Sequence, residues 1–360
     1  MNAEFNNKRC PVSKLAPGME LGQTLYSANG LVWLIEGTVL NAESIRRLQA
    51  LSLNSVIIRE YRPVEVNIER EDTVVRQPLE FVIAPSPLKR QVDGEYETVL
   101  AGVERLFAGL RMQQTLDAAL LEQLSGQILA WSTRGAFIAN FLLMASPRRE
   151  YLVQHSVHVS AIGGVIGTLL ELPGPEQREL VVCGLLHDVG FLTGAAAELT
   201  AELEDDPAHP IKGFQLLQPQ ALGQRVLYGI LQHHERCDGS GYPLGASGDK
   251  IHRLAKIIAV ADAYDALLAG RDREPASPFQ VMQRLREEML GRLDPAACAC
   301  FLEYLTKVMI GNIALLSDGV KAQVVYWQPA APQPVVRKDN GQFIDLAKQK
   351  ALSIVKIIGA

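Results

Sequence analysis

Cysteine is sparse in this chain: five residues in 360, with no CxxC pair among them. That spacing excludes a disulfide-built secreted scaffold. Cys10, Cys183, Cys237, Cys298 and Cys300 read as the reduced thiols of a cytoplasmic protein. Long apolar runs are missing too. The stretch from Phe137 to Met144 is flanked by arginines and far short of the ~20 residues a membrane span needs, so no membrane insertion is expected. The opening MNAEFNNKRCPVSK lacks the apolar core of a signal peptide. An excess of positive charge is also absent, with 35 Lys and Arg against 40 Asp and Glu and a net charge of −5. That balance argues against DNA binding through the phosphate backbone and leaves room only for a local basic pocket.

What remains is an ordinary globular composition, 48% hydrophobic and 21% charged, long enough for two or three domains. Residues 1–13 read as a disordered tail. Within 1–62, LAPGMELGQTLYS and LVWLI suggest extended segments and NAESIRRLQAL a helix capped by Asn41. SVIIRE closes this small α/β domain as a strand. Residues 63–93, charged and punctuated by proline, read as a linker. Over 94–146, Val99, Val103, Leu106 and Leu110, then Leu116, Leu120, Leu124 and Ile128, fall at helical spacing. Core packing is the first reading of those helices and a homodimer seam the second. Residues 147–315 are helix-compatible almost throughout. Residues 316–360 change to a β pattern, with Asp339-Asn340-Gly341 as a hairpin turn and ALSIVKII as either a helix or a strand.

Histidine carries the chemistry. All seven, His155, His158, His187, His209, His233, His234 and His252, lie between positions 155 and 252, several beside carboxylates. Neutral imidazoles with carboxylates suit a first-row transition metal better than magnesium or calcium, which points to a two-metal hydrolytic site. Neighbouring residues of a helix diverge by roughly 100°, so His187 and Asp188 do not chelate one ion side by side. A carboxylate so placed can bridge two ions while each imidazole serves one. Asp262 and Asp265 share a helix face, one as a candidate ligand and the other facing substrate or orienting a neighbour. A hydroxide between two divalent ions is a strong nucleophile at neutral pH, because metal lowers the pKa of water to about 7.

The doublet His187-Asp188, with His155 upstream and Asp262 downstream, resembles the HD phosphohydrolases. HHERCDGSGYP at 233–243 narrows the resemblance to the HD-GYP subgroup, the cyclic di-GMP phosphodiesterases and their relatives. It covers about residues 140–290. The small domain at 1–62 is similar to one that precedes the catalytic domain in some cyclic dinucleotide phosphodiesterases. The resemblance implies a mainly α, HD-type helical fold with two or three metals, commonly iron or manganese. It assigns His155, His187, Asp188, His209, His233, His234 and Asp262 as ligands, with Asp188 bridging and Asp265 in the catalytic set. Gly239, Gly241, Tyr242 and Pro243 would line the substrate site, and Arg271 would lie near the phosphate. It further implies hydrolysis of cyclic di-GMP to linear pGpG, with a second cut to GMP left open, in a bacterial signalling setting with signalling proteins as partners. Zinc and nickel suit the ligand set as well.

Three departures bear on activity. Phe191 stands where the family usually has the phosphate-holding lysine of HDxGK. That loss costs on the order of 2–4 kcal/mol of transition-state stabilisation if nothing replaces it. Lys212 is the candidate replacement, with a solvated helix lysine as the plainer reading. The segment between the doublet and His209 is shorter than usual. Tyr151 occupies the position where three-metal members carry an acid, so two ions are expected. His158 and His252 fall outside the motif and read as core histidines, and Cys237 as a packed thiol. Glu235 reads equally as a partner of a ligand histidine or as an exposed helix-end charge. The expected enzyme therefore has two rivals: a metal-bearing module that binds cyclic di-GMP with little turnover, and a hydrolase of another nucleotide.

Overall fold

The structure, a computed structural model, describes residues 5–61 apart from 17–18, 24, 27–31, 35–39, 41 and 51–53. It also describes 87–132 except 114, 151–193, 206–270, and 278–359 except 328–330, 332 and 350. The chain divides into two compact units. One joins residues 1–82 with 310–358, and the other is 83–309.

In the first unit the strands are β1 (Phe5–Pro11), β2 (Glu20–Leu21), β3 (Leu25–Tyr26), β4 (Val32–Leu34) and β5 (Ser55–Tyr61), with helix α1 (Ala42–Ala50) before β5. The expected tail is therefore wrong over Phe5–Pro11. That polar stretch pairs antiparallel with β5 from Phe5 opposite Tyr61 to Pro11 opposite Ser55. A strand held by its backbone ladder needs no apolar alternation of its own, since β5 supplies the buried Val56 and Ile58. The helix read at NAESIRRLQAL is present, while its cap Asn41 lies outside the described residues. A second sheet has the order β10-β6-β7-β8-β9, from β6 (Ile313–Leu316), β7 (Lys321–Tyr326), β8 (Val335–Lys338), β9 (Phe343–Asp345) and β10 (Ile354–Gly359). Its β8–β9 hairpin turns at the expected Asp339-Asn340-Gly341, where Gly341 adopts φ +85°. The open choice for ALSIVKII resolves as strand β10.

The second unit is helical. Helix α2 (Pro87–Gln113) begins inside the stretch read as linker, whose residues 63–86 lie outside the described set. It is followed by α3 (Ala118–Ser132), α4 (Tyr151–Leu169), α5 (Gly174–Leu186), α6 (His209–Leu217), α7 (Gln224–Gln232), α8 (Arg253–Ala269), α9 (Pro278–Glu288) and α10 (Pro295–Met309). The stripe Val99, Val103, Leu106 and Leu110 of α2, and Leu124 and Ile128 of α3, are buried within this unit. Each such side chain contributes about 1.5–3 kcal/mol of burial. Helix α4 is buried over nearly its whole surface, as an internal helix must be. Among the described residues it alone is long and apolar enough to cross a membrane, yet 83% of its apolar window is buried in the fold. Helices α2, α3, α5, α8 and α10 pack around it. Ser160 Oγ donates to the Val181 carbonyl (2.7 Å), which ties α4 to α5 beside the histidines.

Candidate metal centre

The expected ligands come from different elements but meet at one place. His155 lies in α4, and His187 and Asp188 follow the end of α5, where the chain tightens into a 3₁₀ turn at Val189–Thr193. His209 opens α6, His233 and His234 follow α7, and Asp262 projects from α8. Gly190 explains how α6 reaches the doublet. A Cβ on it would collide with the carbonyl oxygen of His209, so only glycine lets the two turns touch. His155, His187, Asp188, His209, His233 and Asp262 are buried, and His234 is partly covered.

Hydrogen bonds fix which imidazole nitrogen is bare. His187 Nδ1 donates to the Gly184 carbonyl at 2.8 Å, His209 Nδ1 to Asp206 and His233 Nδ1 to Ile230 at 2.7 Å each. In all three the acceptor lies three residues back. His155 Nδ1 lies 2.7 Å from Asp265 Oδ2. Each ring thus spends a proton at Nδ1 and turns Nε2 inward. His155 and His187 bring their Nε2 atoms within 3.3 Å, and His209 and His233 theirs within 3.1 Å. Two nitrogens on one ion at a bond length of ~2.1 Å are about 3.0–3.4 Å apart at right-angled to tetrahedral geometry. Asp188 stands between the pairs. Its Oδ2 is 3.4 Å from His187 Nε2 and 3.7 Å from His155 Nε2, and its Oδ1 is 3.1 Å from His209 Nε2 and 3.5 Å from His233 Nε2. Oδ1 is buried yet makes no hydrogen bond of proper geometry. A carboxylate oxygen without a hydrogen bond, among inward-facing imidazole nitrogens, is a donor set for cations.

Two groups could each hold an ion: His155, His187 and Asp188, and Asp188, His209, His233 and His234. Asp262 flanks both, 3.1 Å from His155 Nε2 and 3.9 Å from His234 Nδ1. The electrostatics agree. Burial alone would lower the His155 pKa, but the carboxylates of Asp262 and Asp265 raise it to about 10. Burial lowers His187 to about 4 although Asp188 opposes it, and burial with His233 depresses His234. Burial opposes ionisation of Asp188, yet His187, His209 and His233 hold it well below the carboxylate range. Asp262 and Asp265 lie below that range too, by virtue of the histidines they face.

Around this centre lie aromatic faces. Phe191 stacks on His209 (4.3 Å, 17°), Tyr151 on His155 (5.1 Å, 12°) and Tyr242 on His234 (4.7 Å, 23°). Lys212 pairs with Asp206, whose carbonyl holds His209. The loop carrying Gly239, Gly241, Tyr242 and Pro243 folds back beneath the histidine pair, with a cis peptide before Pro243. Gly241 fits there because a Cβ would strike the backbone of His234, Glu235 and Arg236. Arg271 lies outside the described residues.

Glu235 fits neither sequence reading. It is buried, and its carboxylate accepts from the backbone N–H of Leu244 (2.6 Å) and Ala246 (2.9 Å), pinning the loop. His252 caps α8 by accepting from Leu254 N. Burial raises the Cys237 thiol, with Asp294 adding to the effect, which suits a packed side chain. His158, read from the sequence as core, and Tyr96 of α2, not singled out there, join the ligand network. Asp265 Oδ1 lies 2.6 Å from His158 Nδ1, and His158 Nε2 lies 2.8 Å from the Tyr96 hydroxyl. The one available signal was the His-x-x-His spacing of α4, which puts His158 one turn from His155.

Comparison with known proteins extends the geometry. Residues 141–297 match the HD domain family. The chain is 28% identical over 331 residues to cyclic di-GMP phosphodiesterase PA4108 of Pseudomonas aeruginosa, covering 87% of this chain and 80% of that one. It is 33% identical over 150 residues to the cyclic di-GMP phosphodiesterase response regulator RpfG of Xanthomonas campestris, over 39% of each chain. Over 176 residues it is 28% identical to 3'3'-cGAMP-specific phosphodiesterase 3 of Vibrio cholerae, covering 47% of this chain and 38% of that one. Among solved structures, Bd1817, a HDG"Y"P protein from Bdellovibrio bacteriovorus, aligns with TM-score 0.50 and 18% identity over 83% of this chain and 99% of that one. The helical unit thus carries a match to the HD domain family over residues 141–297, and its fold is like that of Bd1817.

Proposed function

We propose that this protein is a metal-dependent phosphodiesterase that opens cyclic di-GMP to linear pGpG, acting in the cytoplasm. The observation that carries the reading is the pair of convergent Nε2 sets sharing the buried carboxylate of Asp188. Curated relatives named for cyclic di-GMP or 3'3'-cGAMP hydrolysis support the substrate class. His155, His187, Asp188, His209, His233, His234 and Asp262 would hold two divalent ions, with iron or manganese favoured over zinc and nickel. Such ions, when bound, supply Lewis acidity toward the phosphodiester and acidify a water to a pKa of about 7.

The chain's own residues do the rest. Backbone carbonyls of Gly184, Asp206 and Ile230 keep the Nδ1 protons of three ligands, so their Nε2 atoms stay available. Asp265 does the same for His155, which makes it a residue that positions a ligand. Tyr242 and Phe191 offer ring faces beside the ligand histidines, suited to a flat nucleobase. Gly239, Gly241, Pro243, Lys212 and Arg271 complete the proposed substrate side.

Phe191 favours a second reading, a signalling module that keeps metal and nucleotide with little turnover. Equilibrium dialysis against labelled cyclic di-GMP, with product analysis on the same samples, separates the two. The enzyme releases pGpG, whereas the module retains intact ligand. A protein that hydrolyses 3'3'-cGAMP while ignoring cyclic di-GMP would overturn the substrate assignment.

A further inference from the structure

Four polar groups form a continuous line from helix α2 to the proposed metal ligand His155. Tyr96 of α2 places its hydroxyl 2.8 Å from His158 Nε2, and His158 Nδ1 lies 2.6 Å from Asp265 Oδ1. Asp265 Oδ2 lies 2.7 Å from His155 Nδ1. Gln154 Nε2 adds a donor to the Tyr96 oxygen at 3.4 Å. Tyr96, Gln154, His155 and Asp265 are buried, and the His158 side chain is 17% exposed.

The chemistry of each group fixes the direction of the links along this line. An ionised carboxylate only accepts, so both histidines facing Asp265 donate through Nδ1. His158 Nε2 is then an acceptor and takes the proton of the Tyr96 hydroxyl. His155 Nε2 is the nitrogen that faces His187, Asp188 and Asp262. Each carboxylate oxygen serves one histidine, so His158 holds Asp265 in the plane that His155 needs and takes up part of its charge. A carboxylate behind a ligand histidine sets that ligand's orientation and basicity.

We infer that Tyr96 and His158 are positioning residues for the metal centre, through which α2, an element outside the HD motif, sets the strength of the His155 ligand. This rests on the two-ion reading above. Neither residue reaches the centre itself. Their effect passes through Asp265 and falls on the ion held by His155 and His187, while the ion of His209 and His233 depends on Asp206 and Ile230 instead.

The test is cobalt(II) titration of the full-length protein, followed by calorimetry and by the visible absorption of each bound ion. The proteins compared are wild type, Tyr96→Phe, His158→Gln and His158→Leu. Tyr96→Phe removes one hydroxyl and keeps the ring, so it serves if a His158 variant fails to fold. Wild type should bind two ions. His158→Leu should weaken one of them about 10–100-fold and shift its absorption bands, leaving the other unchanged. Tyr96→Phe should weaken the same ion by a smaller factor. His158→Gln, which can donate to Asp265 and accept from Tyr96, should recover most of the affinity. Wild-type affinities and spectra in Tyr96→Phe, or equal weakening of both ions in the folded variants, would overturn the relay. A wild-type protein that takes up no cobalt would instead overturn the two-ion reading beneath it.

Discussion

At the scale of single residues, the centre is a matter of where protons sit. His155 shows this most clearly, because its pKa is raised to about 10 from an ordinary 6.5 by the carboxylates it faces. A histidine with a raised folded pKa stabilises the fold fully below its unfolded pKa, and that contribution fades as pH climbs through the folded value. The metal-free protein should therefore lose stability between about pH 6.5 and 10. Metal affinity should move oppositely, since the ion displaces that proton, and should rise roughly tenfold per pH unit from 7 to 9. Calorimetric titration in buffers of different ionisation enthalpy would count the released proton. A second prediction concerns Phe191. If its missing charge limits turnover, Phe191→Lys should raise kcat/KM tenfold or more, about 1.4 kcal/mol, with metal content unchanged. An unchanged rate would assign the phosphate to another residue.

That His155, His187, Asp188, His209, His233, His234 and Asp262 would meet at one place was legible, because their residue types and spacing are local facts. Asp265 was legible as a residue that either faces substrate or orients a neighbour. His158 was not, because its partners lie on α8 and α2, far away along the chain, and an imidazole tautomer leaves no mark on a sequence. Glu235 escaped for the same reason, since its acceptors' partners are two backbone amides of a loop whose path the sequence does not state.

At the scale of elements, the site depends on helix ends held together by glycines. Gly190 is the sharpest case, because the start of α6 rests on it. Gly190→Ala should push His209 away and cost about 3 kcal/mol or more of stability, the range of overpacked or strained buried positions. Metal analysis should fall from two ions per chain toward one. Retention of both ions would mean the turns can separate without moving the ligand. Helical periodicity made α2 and α3 readable, and Asp339-Asn340-Gly341 made the β8–β9 hairpin readable. Strand β1 was not, since FNNKRCP has neither alternation nor apolar weight and gains its place from the backbone of β5.

At the scale of the whole molecule, residues 83–309 carry every proposed ligand, while the first and last parts of the chain form the other unit. Composition announced both classes of structure without revealing that the two β regions cluster together, because pairing between distant segments is not written locally. Ions bound at the proposed site would stabilise the unit that holds them. At an ion concentration a hundred times Kd the gain is about 2.7 kcal/mol per site. Chelation should therefore speed hydrogen exchange in α4, α5 and α8 while leaving β5 to β8 unchanged. Equal acceleration in both units would contradict a local effect of the ions.

The most direct measurement is product formation from cyclic di-GMP by full-length protein purified without oxygen and loaded with iron(II) or manganese(II). The double variant His187→Ala with Asp188→Ala serves as the control. The account predicts linear pGpG from the loaded wild type, two ions per chain, and neither turnover nor the full metal complement in the double variant. Two ions bound with no product, or equal turnover in the double variant, would contradict it.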